Sequence, residues 1–132
     1  MLKFAIPVLH VSSSAAAEEF YCGRLGFRKR SATRSDEKRA DPCYMGVERE
    51  GVWLHLSSFS GDGVPGGVVY LAVEDVDALH AELVAKGVPI DTGPVDQTWG
   101  NREMYVKDAD RNSIRFIQES AGGGAPSILS PL

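Results

Sequence analysis

The feature that most restricts this chain is an internal repeat. Residues 60–67, Ser-Gly-Asp-Gly-Val-Pro-Gly-Gly, have the composition of a flexible connection and divide the sequence near its middle. The same order of signals lies on each side. An apolar, β-branched run (residues 4–11, then 68–73) leads into a stretch with helical spacing, Ala17, Phe20, Tyr21 and Leu25 in one half and Val76, Leu79, Leu83 and Val84 in the other. Each stretch ends at a glycine, Gly26 or Gly87, and short strand patterns follow. The serines Ser12, Ser13 and Ser14 offer caps for the first helix, and Glu74 and Asp75 open the second. Residues 27–33 read as a strand, and residues 43–48 and 52–58 as a hairpin across Arg49, Glu50 and Gly51. The corresponding elements of the second half are a short edge strand at Val88-Pro89-Ile90 and a hairpin of residues 104–107 and 113–118. Leu54-His55-Leu56 lines up with Ile114-Arg115-Phe116. A period of about 60 residues present twice does not suit a solenoid, which needs about three or more units. The expected fold class is therefore α+β: one domain, residues 1–120, of two βαβββ modules at about 4–60 and 67–119, followed by a Gly/Pro-rich tail at 121–132.

A length of 132 residues with 43% hydrophobic content supplies a core for such a domain. The net charge of −4, with basic residues scattered apart from a group between Arg24 and Arg39, argues against nucleic acid as a partner. Two cysteines, Cys22 and Cys43, make neither a disulfide framework nor a zinc site, and Cys22 has no His or Asn beside it at a readable spacing. No run reaches the ~20 apolar residues of a membrane span. The start, Met1-Leu2-Lys3-Phe4, lacks the pattern of a cleaved leader, so the expected location is the cytoplasm.

The most distinctive stretch is residues 97–117. Trp99-Gly100-Asn101-Arg102-Glu103 leads into a strand, the turn Asp108-Ala109-Asp110-Arg111-Asn112, and the returning strand. This stretch resembles the closing hairpin of the glyoxalase, bleomycin resistance protein and dioxygenase superfamily, the vicinal oxygen chelate fold. Members of that family carry W-G-x-R-E and then D-P-x-G-N. Here Trp99, Gly100, Arg102, Glu103, Asp108 and Asn112 match, while Ala109 replaces the usual Pro and Arg111 the usual Gly. Arg111 is accordingly expected to hold a positive φ. The resemblance covers roughly residues 4–119 and implies that the two modules form a curled mixed sheet around a concave cleft.

Strand alternation sorts side chains between core and cleft. Val52, Leu54 and Leu56 are expected against the helix and Trp53, His55 and Ser57 on the concave side. In the last strand Ile114 and Phe116 go to the core, leaving Ser113, Arg115 and Ile117. Val69, Leu71 and Val73 are core and Val68, Tyr70 and Ala72 concave, while the first strand gives Ile6, Val8 and His10 to the concave side. The resemblance places the metal ligands of the enzymatic members at the positions of Ile6, His55, Val68 and Arg115. Only His55 has a suitable donor atom, since Ile6 and Val68 have none and Arg115 is a permanent cation. No metal, cofactor or catalytic residue is therefore expected.

Trp53, His55, Tyr70, Trp99 and Arg115 are the expected ligand-binding residues: stacking surface, a switchable donor or acceptor, and a fixed cation. Each has a plainer reading. The tryptophans can be structural, His55 an ordinary sheet histidine, and Arg115 a partner for Glu103 across the hairpin. The resemblance to the bleomycin resistance branch implies a homodimer that sequesters a small molecule, such as a glycopeptide antibiotic, without modifying it. The alternative it leaves open is a metal-dependent glyoxalase, transferase or dioxygenase.

Overall fold

The computed structural model describes residues 1–120, so the expected tail at 121–132 lies outside the described residues. The chain runs β1 (Val8–His10), α1 (Ser14–Glu18) continuing as a π-helical segment (Glu19–Arg24), β2 (Arg28–Arg34), β3 (Cys43–Arg49) and β4 (Val52–Ser57). It then repeats as β5 (Val68–Ala72), α2 (Val76–Ala85), β6 (Thr92–Asp96), β7 (Arg102–Lys107) and β8 (Ser113–Gln118). The strands form two four-stranded sheets, ordered β1-β4-β3-β2 and β5-β8-β7-β6. In each, the first strand lies parallel to the last and the others pair antiparallel. The duplication is thus realised strand for strand, as two βαβββ modules of an α+β fold. The described residues divide into two compact units: Met1–Gly67 with Asp108–Asn112, and Val68–Lys107 with residues 113–120.

In the first unit the period-two pattern puts Leu9, Cys43, Met45, Val47, Leu54 and Leu56 on the buried face of the sheet. The helix packs on β3 and β4. Ser13 is its N-cap, the hydroxyl accepting from Ala16 N at 3.1 Å. After Glu18 the bonding widens to the i−5 carbonyl, as in Leu25 N to Phe20 O at 2.9 Å, and Tyr21 and Leu25 are buried. Gly26 follows at φ 79°. The first strand is shorter than expected. Pro7 has no N–H to give, although its carbonyl still accepts from His55 N at 2.9 Å, and Phe4 is exposed.

In the second unit Asp75 caps α2 by accepting from Ala78 N at 3.0 Å. Val76 and Leu83 are buried, but Val84 is exposed rather than on the buried stripe. At about 100° per residue it sits roughly 80° round the helix from Val76. The edge strand expected at Val88-Pro89-Ile90 forms instead at β6. Val88 N is bonded to Leu83 O at 3.0 Å, and its buried side chain closes the helix end after Gly87, while Pro89 has no donor for a ladder. Pairing to β7 begins only at Asp91, whose N–H reaches Tyr105 O at 2.9 Å.

Candidate functional site

Each sheet has a second face, opposite its helix. On the second module this face carries a row of register partners, Tyr70 on β5, Arg115 on β8 and Tyr105 on β7. The Arg115 guanidinium stands 4.5 Å from the Tyr105 ring centroid and 5.7 Å from that of Tyr70. Its Nε donates to Ser113 Oγ at 3.3 Å and its Nη1 to the Tyr70 hydroxyl at 3.4 Å. The neighbouring row holds Ile117 and Glu103, both buried. The Glu103 carboxylate accepts from Trp99 Nε1 at 2.7 Å through one oxygen and from the Tyr105 hydroxyl at 2.5 Å through the other. Burial first, then this bond to Glu103, pushes the Tyr105 hydroxyl up to about 12. Tyr105 therefore has a cation against its ring and a carboxylate on its hydroxyl.

The loop that brings in Trp99 closes on itself through Gln97 N to Asn101 O at 2.8 Å and Gly100 N to Gln97 O at 3.0 Å, with Gly100 at φ 102°. Trp99 is partly buried, with its indole N–H committed to Glu103.

On the first module the corresponding row is Val8, His55 and Gly46. His55 Nδ1 shares a hydrogen bond of 2.8 Å with the Tyr44 hydroxyl, and its ring is edge-on to Tyr44 at 5.1 Å and to Trp53 at 6.5 Å. A Cβ at Gly46 would make ordinary contact with Trp53 at 3.4 Å and His55 at 3.6 Å, and would crowd Ser31 Oγ at 2.9 Å. Trp53 is 37% exposed and Tyr70 46%.

Of the five expected residues, Trp53 and His55 touch each other on the first module, Tyr70 and Arg115 touch on the second, and Trp99 joins the second cluster through Glu103. The sequence reading missed Tyr44, Gly46 and Tyr105 and cast Glu103 as a partner for Arg115 rather than for Trp99 and Tyr105. Alternation along β7, which puts Met104 and Val106 in the core and Glu103 and Tyr105 opposite, carried that information. Arg115 does not pair with Glu103, and among the described residues no carboxylate lies within ion-pair distance of it. Elsewhere on the first module an open depression of about 580 Å³ is lined by His10, Ser58, Ser60, Gly61, Gly63 and Val64, none of them an expected site residue. Burial pushes the Cys22 thiol up, the reverse of an activated nucleophile.

The sequence profile of a family described as glyoxalase superfamily protein matches residues 1–123. The chain belongs to the glyoxalase superfamily. No curated protein matches it. Among solved structures, a glyoxalase/bleomycin resistance protein/dioxygenase superfamily member from Sphaerobacter thermophilus DSM 20745 superposes with a TM-score of 0.71 at 24% identity, over 89% of this chain and 98% of that one. A glyoxalase/bleomycin resistance protein from Streptomyces sp. CB03234 matches with a TM-score of 0.66 at 26% identity, over 84% and 96% of the two chains. TnmS3, an antibiotic binding protein from the same Streptomyces, matches at 0.66 and 26%, over 89% and 98%.

The resemblance implies metal-ligand positions at Ile6 and His55 in the first module and at Val68 and Arg115 in the second. Those residues do not fit a metal. His55 offers one donor, Nε2, its Nδ1 being engaged by Tyr44, while Arg115 is cationic and Ile6 and Val68 are hydrocarbon. Among the described residues no three His, Cys, Asp or Glu side chains are grouped as a donor set. No helix among them is long and apolar enough to cross a membrane.

Proposed function

We propose that the protein is a small-molecule binder of the bleomycin-resistance type, which holds a flat, amphipathic ligand on the aromatic faces of its modules and sequesters it unchanged. The observation that carries this reading is the row Tyr70, Arg115, Tyr105 with Trp99 and Glu103 beside it, a set with stacking surface and a fixed cation but a single carboxylate, short of the grouped donors a metal needs. Trp53 and His55 supply the equivalent surface on the first module. The likeness to TnmS3, an antibiotic binding protein, supports the same reading. A homodimer in the cytoplasm belongs to the proposal. Each sheet ends in two edge strands, β1 and β2 or β5 and β6, which a second copy can cover.

Sequestration works by mass action, so a ligand of the native state raises the melting temperature. At a free concentration of about 100 times Kd the stabilisation is about 2.7 kcal/mol. The test is a thermal-shift screen with bleomycin-like glycopeptides and small aromatic metabolites, followed by mass spectrometry of the recovered ligand. A raised melting temperature with the ligand returned intact is the expected result. Catalytic turnover of a hit, with or without added Ni, Zn, Mn or Fe, would overturn the reading in favour of an enzyme.

A further inference from the structure

The guanidinium of Arg115 has more donors than the described residues use. Of its five N–H groups, Nε meets Ser113 Oγ at 3.3 Å and Nη1 meets the Tyr70 hydroxyl at 3.4 Å, both long contacts. Among the described residues, no acceptor is assigned to Nη2 and no ion pair to the side chain. A partly buried guanidinium without a carboxylate is unusual, because a charge leaving water is normally compensated. The nearest candidate, Glu103, is taken: its two oxygens accept from Trp99 and Tyr105. The Tyr105 ring supports the guanidinium, as expected of a stacked arginine.

We infer that Arg115 is an anchor for a ligand carboxylate, and that the ligand is a small aromatic monoacid whose ring lies against Tyr70, Tyr105 and Trp99. This rests on the binding function proposed above and names the chemical class it serves. A carboxylate matches the planar fork of the guanidinium and can accept two parallel hydrogen bonds from it. Charge selects one negative charge over two. Glu103 already places a carboxylate on the same face, one row away. A monoanion restores an ordinary ion pair, whereas a phosphate dianion meets excess negative charge on a chain whose net charge is −4. The Tyr105 hydroxyl, donating to Glu103, keeps that carboxylate from turning toward Arg115 and competing with the ligand.

The test uses the full chain and three probes with one ring system: 2-naphthoate, 2-naphthamide and 2-naphthyl phosphate, titrated by calorimetry or NMR. 2-Naphthoate is expected to bind about tenfold or more tightly than 2-naphthamide, the scale of a charge-assisted hydrogen bond, and more tightly than the phosphate. Arg115→Gln should abolish most of the naphthoate-to-naphthamide difference, and Arg115→Lys should recover part of it. Circular dichroism shows whether these variants fold; if they do not, the naphthoate-to-naphthamide ratio of the unaltered protein decides alone. Equal affinity for acid and amide overturns the carboxylate anchor while leaving a binding function standing. A phosphate that binds best overturns the monoanion assignment. Absence of binding by all three overturns the inference and removes the aromatic face from the binding reading.

Discussion

The two modules have one topology and opposite solutions at its centre. In the first, the row across the sheet is Val8, His55, Gly46, and the glycine puts no side chain beside His55 and Trp53. In the second it is Tyr70, Arg115, Tyr105, and the tyrosine in the glycine's place supports a cation. The first is an aromatic surface without a fixed cation in its row, the second one built round a fixed cation and lined by aromatics. Duplication fixes where side chains are displayed, and single substitutions within that frame then assign the modules different chemistry.

The hairpin turns differ in the same way. The β3–β4 connection is Glu50-Gly51, both at positive φ and exposed. The β7–β8 connection centres on Asp108, only 9% exposed, whose carboxylate accepts from Tyr21 Oη at 2.8 Å, Asp110 N at 2.9 Å, Asn112 N at 2.8 Å and Asn112 Nδ2 at 2.8 Å. Asn112 passes the network on, accepting from Gly67 N and donating to His10 O, each at 2.8 Å. Asp108→Ala orphans these donors and should cost about 3–5 kcal/mol, the largest effect expected of any change here. Glu50→Ala, at the equivalent turn, should stay within about 0.5 kcal/mol. Urea denaturation of both variants checks the contrast, and similar losses would show that the turns are equivalent after all.

Removing only the Tyr21 hydroxyl isolates one bond of that network. Tyr21→Phe should cost about 1.5 kcal/mol at neutral pH. It also changes the alkaline limb. Burial, and then Asp108, raises the Tyr21 hydroxyl well above its ordinary value. The unfolded chain releases this proton near pH 10 while the folded chain keeps it. The stability tied to neutral Tyr21 is therefore whole below about pH 10 and declines as the pH rises above that. Tyr105, at about 12, adds a smaller loss between about pH 10 and 12. Melting temperatures from pH 8 to 11 should fall less steeply in Tyr21→Phe, and parallel curves would remove Tyr21 from the account.

At the centre of the rows, Gly46→Ala tests whether the first module depends on its glycine. The new Cβ would meet Ser31 Oγ at 2.9 Å, so the bond from Gly46 N to that hydroxyl must move. Relief of glycine's backbone entropy, about 0.5–1 kcal/mol, offsets part of the strain, and a net loss of about 1 kcal/mol is expected. A shift in Trp53 fluorescence should accompany it. A stabilised variant with unchanged fluorescence would show that the row has slack.

Much of this frame was legible in the sequence because period-two and period-3.6 patterns repeat across the linker, and burial of Leu54, Leu56, Ile114 and Phe116 follows them. The first strand is shorter than expected and the one expected at Val88 forms further along the chain, because Pro7 and Pro89 carry no N–H for a ladder. Tyr105 and Gly46 stayed out of view because their roles depend on cross-strand register, which a single strand does not reveal. The hydrogen-bonding role of Asp108 is similarly nonlocal: Tyr21 is 87 residues away in the chain.

The smallest effect concerns the residue that departs from the family's turn. Arg111 holds φ 67°, as its place in a glycine's position required, while its N–H closes the turn on Asp108 O at 3.0 Å. A left-handed conformation costs a residue with a Cβ about 1–2 kcal/mol, and glycine gives back about 0.5–1 kcal/mol through the greater freedom of its unfolded chain. Arg111→Gly should therefore stabilise the protein by about 0.5 kcal/mol, seen as a rise of about 1–3 °C in melting temperature. The side chain is exposed and none of the described ion pairs uses it, so the backbone term is not masked by a lost contact. The matching change at Glu50, also left-handed at φ 52°, sharpens the comparison of the two turns. Its carboxylate accepts from Arg49 Nε at 3.2 Å, so Glu50→Gly should gain less. Equal gains would mean that backbone strain alone governs both turns.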